Sequence, residues 1–68
     1  MELKHKEQKI RDMVVFYFGL LPVEVDVDRY DVKIVFEKSD MERLGVSLED
    51  VREKVQPVVP RTLTLDVV

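Results

Sequence analysis

Val23-Glu24-Val25-Asp26-Val27-Asp28-Arg29-Tyr30-Asp31-Val32-Lys33-Ile34-Val35-Phe36-Glu37 reads as two short strands joined by a turn. Val23, Val25 and Val27 alternate with Glu24, Asp26 and Asp28. Val32, Ile34 and Phe36 then alternate with Lys33, Val35 and Glu37. A period of two over both runs is the mark of a half-buried strand. A turn at Arg29-Tyr30 pairs Val27 with Val32, Val25 with Ile34 and Val23 with Phe36 on one face. The other face then sets Asp26 opposite Lys33, a favourable cross-strand pair. The same register opposes Asp28 and Asp31, so a turn wider than two residues stays open.

Upstream of the hairpin, residues 2 to 18 read as a helix. Ile10, Met13, Val14, Tyr17 and Leu21 follow the i, i+3, i+4, i+7, i+11 spacing of one helical face. Gly19 sits where a left-handed cap is wanted, and Pro22 follows where a helix cannot continue. Val14-Val15-Phe16-Tyr17-Phe18 is rich in β-formers, so a strand competes there. The polar lead-in shows no alternation and favours the helix.

Downstream, Ser39-Asp40-Met41-Glu42 has the Ser-x-x-Glu form of a capping box and predicts a short helix running to Gly45. Ser47 offers a second N-cap before Leu48, Val51 and Val55, which share a helical face. Gln56-Pro57-Val58-Val59-Pro60 reads as an extended connector, since each proline pushes its predecessor away from helix. Leu63, Leu65 and Val67 alternate with Thr62, Thr64 and Asp66 as a last strand. The expected fold class is α+β in the order α-β-β-α-α-β. It is one domain over residues 1–68, a three-stranded mixed sheet with its helices on one face.

Composition narrows the function classes. A chain of 68 residues buries only about 60% of the surface its unfolded form exposes, and domains this small usually need a staple. There is no cysteine and a single histidine, His5. Disulfides, a thiolate zinc site and a histidine cluster are therefore excluded, and no cofactor is expected. Association with another chain is the support left over. The longest apolar stretch, Met13 to Val23, is broken by Gly19 and Pro22 and falls short of the ~20 residues of a membrane span. The charged N-terminus has no apolar signal core behind it, so a cytoplasmic chain with no membrane partner is expected. There is no asparagine, only two glutamines, and 37% of residues are charged, a composition met in heat-adapted proteins.

Candidate chemistry is sparse. Glu24, Asp26 and Asp28 share one strand face and could hold a hard cation, but alternation alone explains them. Ser39 and Ser47 are accounted for as caps. With Gly19 and Gly45 the only glycines, there is no phosphate loop. The chain is not expected to be an enzyme.

Leu44-Gly45-Val46-Ser47-Leu48-Glu49-Asp50-Val51-Arg52 resembles the turn of helix-turn-helix DNA-binding domains. The segment before it leaves little room for a first helix, and Glu49, Asp50 and Glu53 would repel phosphate. The order α-β-β-α-α-β also resembles the type II KH family of RNA-binding domains. That family grips nucleotide backbone with a GXXG loop between its central helices. This sequence has Gly45-Val46-Ser47-Leu48 there, with only the first glycine, so no binding residue is carried over.

Two surfaces remain. Lys4, Lys6, Lys9 and Arg11 form a basic cluster on the first helix, interleaved with Glu2, Glu7 and Asp12. It offers RNA or single-stranded DNA binding as an alternative function, held down by 11 basic against 14 acidic residues and a net charge of −3. The second surface is apolar. If Ile10, Met13 and Val14 face the sheet, Val15 and Phe16 point away at ~100° per residue, with Phe18 at the margin. Either the 56–60 connector covers them through Val58 and Val59, or they meet a partner. The favoured function is a non-catalytic interaction module. It self-associates, most simply as a dimer, or serves as a subunit of a larger assembly. Its contact would be Val15, Phe16 and Phe18, or an edge strand carrying Thr62 and Thr64.

Overall fold

The computed structural model of the chain describes residues 2–59 and 61–68, and in the first helix side chains from His5 onward. Pro60 and the Lys4 side chain, both part of the readings above, lie outside the described residues. The elements run α1 (Glu2–Phe18), β1 (Glu24–Val27), β2 (Asp31–Phe36), α2 (Lys38–Leu44), α3 (Leu48–Val55), a 3₁₀ turn (Gln56–Val58) and β3 (Thr62–Val67). The sheet order is β1-β2-β3, antiparallel between the first two strands and parallel between the last two. This is a small α+β domain with the element order that the alternating stretches dictate.

The hairpin register follows from side-chain parity. Val27 pairs with Val32, Asp26 with Lys33 and Val25 with Ile34. Asp28 N–H donates to the Asp31 carbonyl at 2.8 Å, and Asp28, Arg29 and Tyr30 all lie between the two strands, so the turn is wider than Arg29-Tyr30 alone. One expected pair fails. The ladder ends at Glu24 with Val35, and Val23 N–H donates to that same Val35 carbonyl at 2.7 Å. Two residues thus oppose one, in the manner of a bulge, and Val23 is exposed instead of facing Phe36.

Val25, Val27, Val32, Ile34, Phe36 and Leu63 turn one sheet face onto Ile10 and Val14 of α1 and Val51 and Val55 of α3. Each such side chain contributes roughly 1.5–3 kcal/mol when fully buried, which makes this layer the main stabilising contact. The other face carries Glu24, Asp26, Lys33, Thr62, Thr64 and Asp66, all exposed. Val35 lies on that side too. It is buried outside the main cluster, with Glu24 and Asp66 as its cross-strand neighbours.

α1 departs from its expected face at its end. Val14 is fully buried, but Tyr17 is 52% exposed and Leu21 70%, whereas Leu20 is 1% exposed. Gly19 adopts φ +71° and caps the helix, its N–H donating to the Val15 carbonyl at 2.8 Å. The reversal takes the chain out of helical phase, so Leu20 rather than Leu21 turns inward. Position 19 favours glycine because other residues rarely adopt that φ.

α2 also starts differently. It begins at Lys38 with Glu37 as N-cap and no side-chain cap, so the Ser39–Glu42 capping box does not form. Lys38 N–H donates to the Val68 carbonyl, and Val68 N–H to the Phe36 carbonyl, both at 2.9 Å. Strand pairing thus fixes the helix start ahead of Ser39. The second box does form: Asp50 N–H donates to Ser47 Oγ and Ser47 N–H to Asp50 Oδ2, each at 3.1 Å.

The 56–60 connector is not simply extended, because Gln56–Val58 closes a 3₁₀ turn with Pro57 in its first positions, where proline costs nothing. The Gln56 side-chain amide holds it by donating to the Val59 and Arg61 carbonyls, each at 3.1 Å.

Candidate interaction surface

α1 packs through Ile10 and Val14, with Met13 and Phe18 partly buried against the same core. Its flank toward the 3₁₀ turn is left open, and there the chain forms a groove. One part, a depression of about 460 Å³, is lined by Lys9, Ile10, Asp12, Met13, Phe16, Tyr17 and Val58. An adjoining depression of about 340 Å³ is lined by Lys6, Lys9, Ile10, Val58, Val59 and Arg61. Lys9, Ile10 and Val58 belong to both, so the two run together along the helix.

Phe16 is 83% exposed and Val58 61%. Of the two valines of the connector only Val59 is buried. The connector therefore does not cover Phe16; it forms the opposite wall. Phe16 and Tyr17 rings meet edge to face, centroids 5.3 Å apart, and the Lys54 ammonium lies 5.4 Å from the Tyr17 ring centroid. Aromatic edges and a cation over a ring face are the arrangements that ring quadrupoles favour.

The residues expected to form one apolar contact are spread by the fold. Phe16 lines the groove. Val15 is exposed but a hundred degrees round the helix by the ~100° step, outside the groove. Phe18 is partly buried against the core. Thr62 and Thr64 are exposed on the outer sheet face, opposite Asp31 and Lys33 of β2, and so lie across the sheet from α1.

β3 is an edge strand. Thr62 N–H donates to the Tyr30 carbonyl and Val68 N–H to the Phe36 carbonyl, so even-numbered residues turn their backbone toward β2. Leu63, Leu65 and Val67 turn theirs to the free edge. Arg52 Nη1 already donates to the Leu63 carbonyl at 3.0 Å, which occupies part of that edge.

The basic cluster divides as well. Arg11 donates to the Pro22 carbonyl at 3.2 Å and to Glu7 at 3.4 Å, on the side of α1 away from the groove. Lys6 and Lys9 reach the groove, where Arg61 joins them, and Lys54 stands over the ring of Tyr17, one of its lining residues. Nothing in the sequence places Arg61, Lys54 or Tyr17 at this site, and Val58 comes here only as a cover for Phe16. Arg61 and Lys54 are distant in sequence, and Tyr17 shares the helical phase of the core residues.

The corner at Gly45-Val46-Ser47-Leu48 is closed by its own caps. Gly45 takes φ +68° as the C-cap of α2, and Asp50 places a carboxylate on the N-terminus of α3. That carboxylate sits where a nucleotide phosphate would have to approach. Among the described residues no three carboxylates or histidines converge to hold a metal ion, and no helix is long and apolar enough to cross a membrane. Comparison with family models, curated proteins and solved structures finds no match for this chain.

Proposed function

We propose that this chain is a non-catalytic interaction module that associates through the open flank of α1, with itself or as a subunit of a larger assembly. The observation that carries the reading is the 83% exposure of Phe16 beside Tyr17, Met13 and Val58. A clustered apolar surface in so small a domain is what partner surfaces are made of. The flank is favoured over the β3 edge because Arg52 already holds the Leu63 carbonyl.

Sedimentation equilibrium over a range of concentrations tests the self-associating form. That form requires a mass that rises toward a dimer with concentration, and a Phe16→Asp variant that returns to the monomer value while its circular dichroism spectrum stays unchanged. A monomer mass at every concentration defeats self-association and leaves the subunit form, which co-purification from the native source examines.

A second reading, binding of RNA or single-stranded DNA, is favoured by Lys6, Lys9 and Arg61 lining one groove next to exposed rings. Such grooves track a backbone and stack bases. It requires salt-sensitive binding that weakens when Lys6 and Lys9 are neutralised; no binding at ~50 mM salt removes it.

A further inference from the structure

We infer that the occupant of the α1 groove is an acidic amphipathic helix of a partner protein. This rests on the reading of the Phe16 flank as a docking surface and goes past it by naming the chemistry it takes. Charge and shape carry the choice. The chain is acidic overall, net −3, yet the groove gathers cations: Lys6, Lys9 and Arg61 line it and Lys54 overhangs Tyr17. Asp12 is the one acid among its described lining residues, and its Oδ1 already accepts from Gln8 Nε2 at 2.8 Å. Between the cations the surface is apolar, formed by Ile10, Met13, Phe16 and Val58.

A second copy is a poorer occupant. Groove against groove would bring the four cations toward their own counterparts, and like charges across an interface disfavour the pairing. The chain's own exposed carboxylates that could reach these cations lie on other surfaces. Glu24, Asp26 and Asp66 stand on the outer sheet face and Glu42, Glu49 and Glu53 on α2 and α3, none of them lining the groove. Docking any of those surfaces into the groove would join copies head to tail, which gives a ring or an open filament and not a two-fold dimer. Nucleic acid would satisfy the cations but not the aliphatic stretch of Ile10, Met13 and Val58. A helix with one apolar stripe flanked by Glu and Asp satisfies both, in the manner of helix-in-groove recognition.

The test titrates the full chain with three fluorescein-labelled probes. One is a peptide of about 18 residues, long enough to hold a helix when bound, with Leu at helical spacing and Glu on its flanks. The others are the same peptide with Lys for Glu, and a short polyuridylate. The Glu peptide should bind at least about tenfold tighter than the Lys peptide, since a few exposed ion pairs amount to that together. The preference should shrink in ~1 M salt, where the screening length is about 3 Å. Lys9→Glu should narrow it, and Phe16→Asp should abolish binding of the Glu peptide. Equal binding of the two peptides, or polyuridylate displacing the Glu peptide, overturns the assignment. So does a homodimer that the Glu peptide leaves intact. In that last case Phe16→Asp still dissociates the dimer and the interaction reading stands. If Phe16→Asp moves neither mass nor peptide binding, that reading fails as well.

Discussion

Among the described residues, the outer face of the sheet and the open flank of α1 both stand without a covering layer. They differ in what they offer water. The strands turn Glu24, Asp26, Lys33, Thr62, Thr64 and Asp66 to the outer sheet face, and the one apolar side chain they turn there, Val35, is 8% exposed. The α1 flank presents Phe16, Tyr17 and Val58, each more than half exposed. Exposure is therefore shared, and only chemistry separates the two. A strand that alternates needs no partner for its outward side, because every second residue is already polar. A helix whose last turns are apolar nearly all round has no such provision. Lack of cover thus marks a finished surface in one place and an unfinished one in the other.

The sharpest way to break this contrast lies inside α1, where Val14 and Phe16 stand two residues apart at 0% and 83% exposure. Val14→Asp buries a carboxylate with no counter-charge in the cluster of Ile10, Ile34 and Val51. Even after relaxation such a charge costs several kcal/mol, a large share of the ~5–15 kcal/mol a domain holds in reserve. The variant should be unfolded by circular dichroism at room temperature. Phe16→Asp should leave the urea midpoint nearly where it was, since surface changes away from special features stay within about 0.5 kcal/mol. If both unfold the protein, Phe16 is part of the fold and the flank is not a surface awaiting a partner.

A smaller effect probes how the flank is held. Lys54→Ala removes the ammonium over Tyr17, and exposed cation–π contacts amount to about 0.5–1 kcal/mol. Thermal unfolding should register a loss of that order. Removing one rim cation should also weaken the Glu peptide about two- to threefold, the effect of one exposed ion pair. Lys54→Arg should restore both, because a guanidinium also stacks on aromatic faces. A stability loss with unchanged peptide affinity would place Lys54 outside the binding rim.

The contrast explains why one surface was legible in the sequence and the other only in outline. Parity dictates the sheet face: once Val25, Val27, Val32 and Ile34 go inward, Asp26 and Lys33 must go outward and oppose each other. A strict period leaves little for tertiary context to decide. The flank has no such period. Which of Val15, Phe16, Tyr17 and Phe18 is covered depends on where α3 and the 3₁₀ turn lie, and they come some forty residues later in the chain. Phe16 was found as the residue facing away from Ile10 and Val14. Tyr17 reads as inward because it shares their phase, and Leu21 does so because the Gly19 reversal does not show in a spacing count. The same limit separates the two serines. Ser47 and Ser39 both carry an acid three residues on, and only Ser47 caps a helix. A strand contact from Val68 had already fixed where α2 begins.

The finest test returns to the outer sheet face, where the effect should be small and confined to stability. Asp26 and Lys33 are direct cross-strand partners, and such opposite charges contribute roughly 0.2–1 kcal/mol, with like charges unfavourable by a similar amount. Asp26→Lys should lower the urea midpoint by an amount in that range, and the swap Asp26→Lys with Lys33→Asp should recover most of it. Neither should alter the mass in solution or the preference for the Glu peptide, since the site lies across the sheet from α1. The salt dependence is an internal check: the penalty of Asp26→Lys should fade as the screening length drops from about 10 Å at 0.1 M toward 3 Å at 1 M. A change in association on recolouring this polar face would mean that both uncovered surfaces meet partners. Absence of cover, rather than apolar character, would then be what marks a contact in this fold.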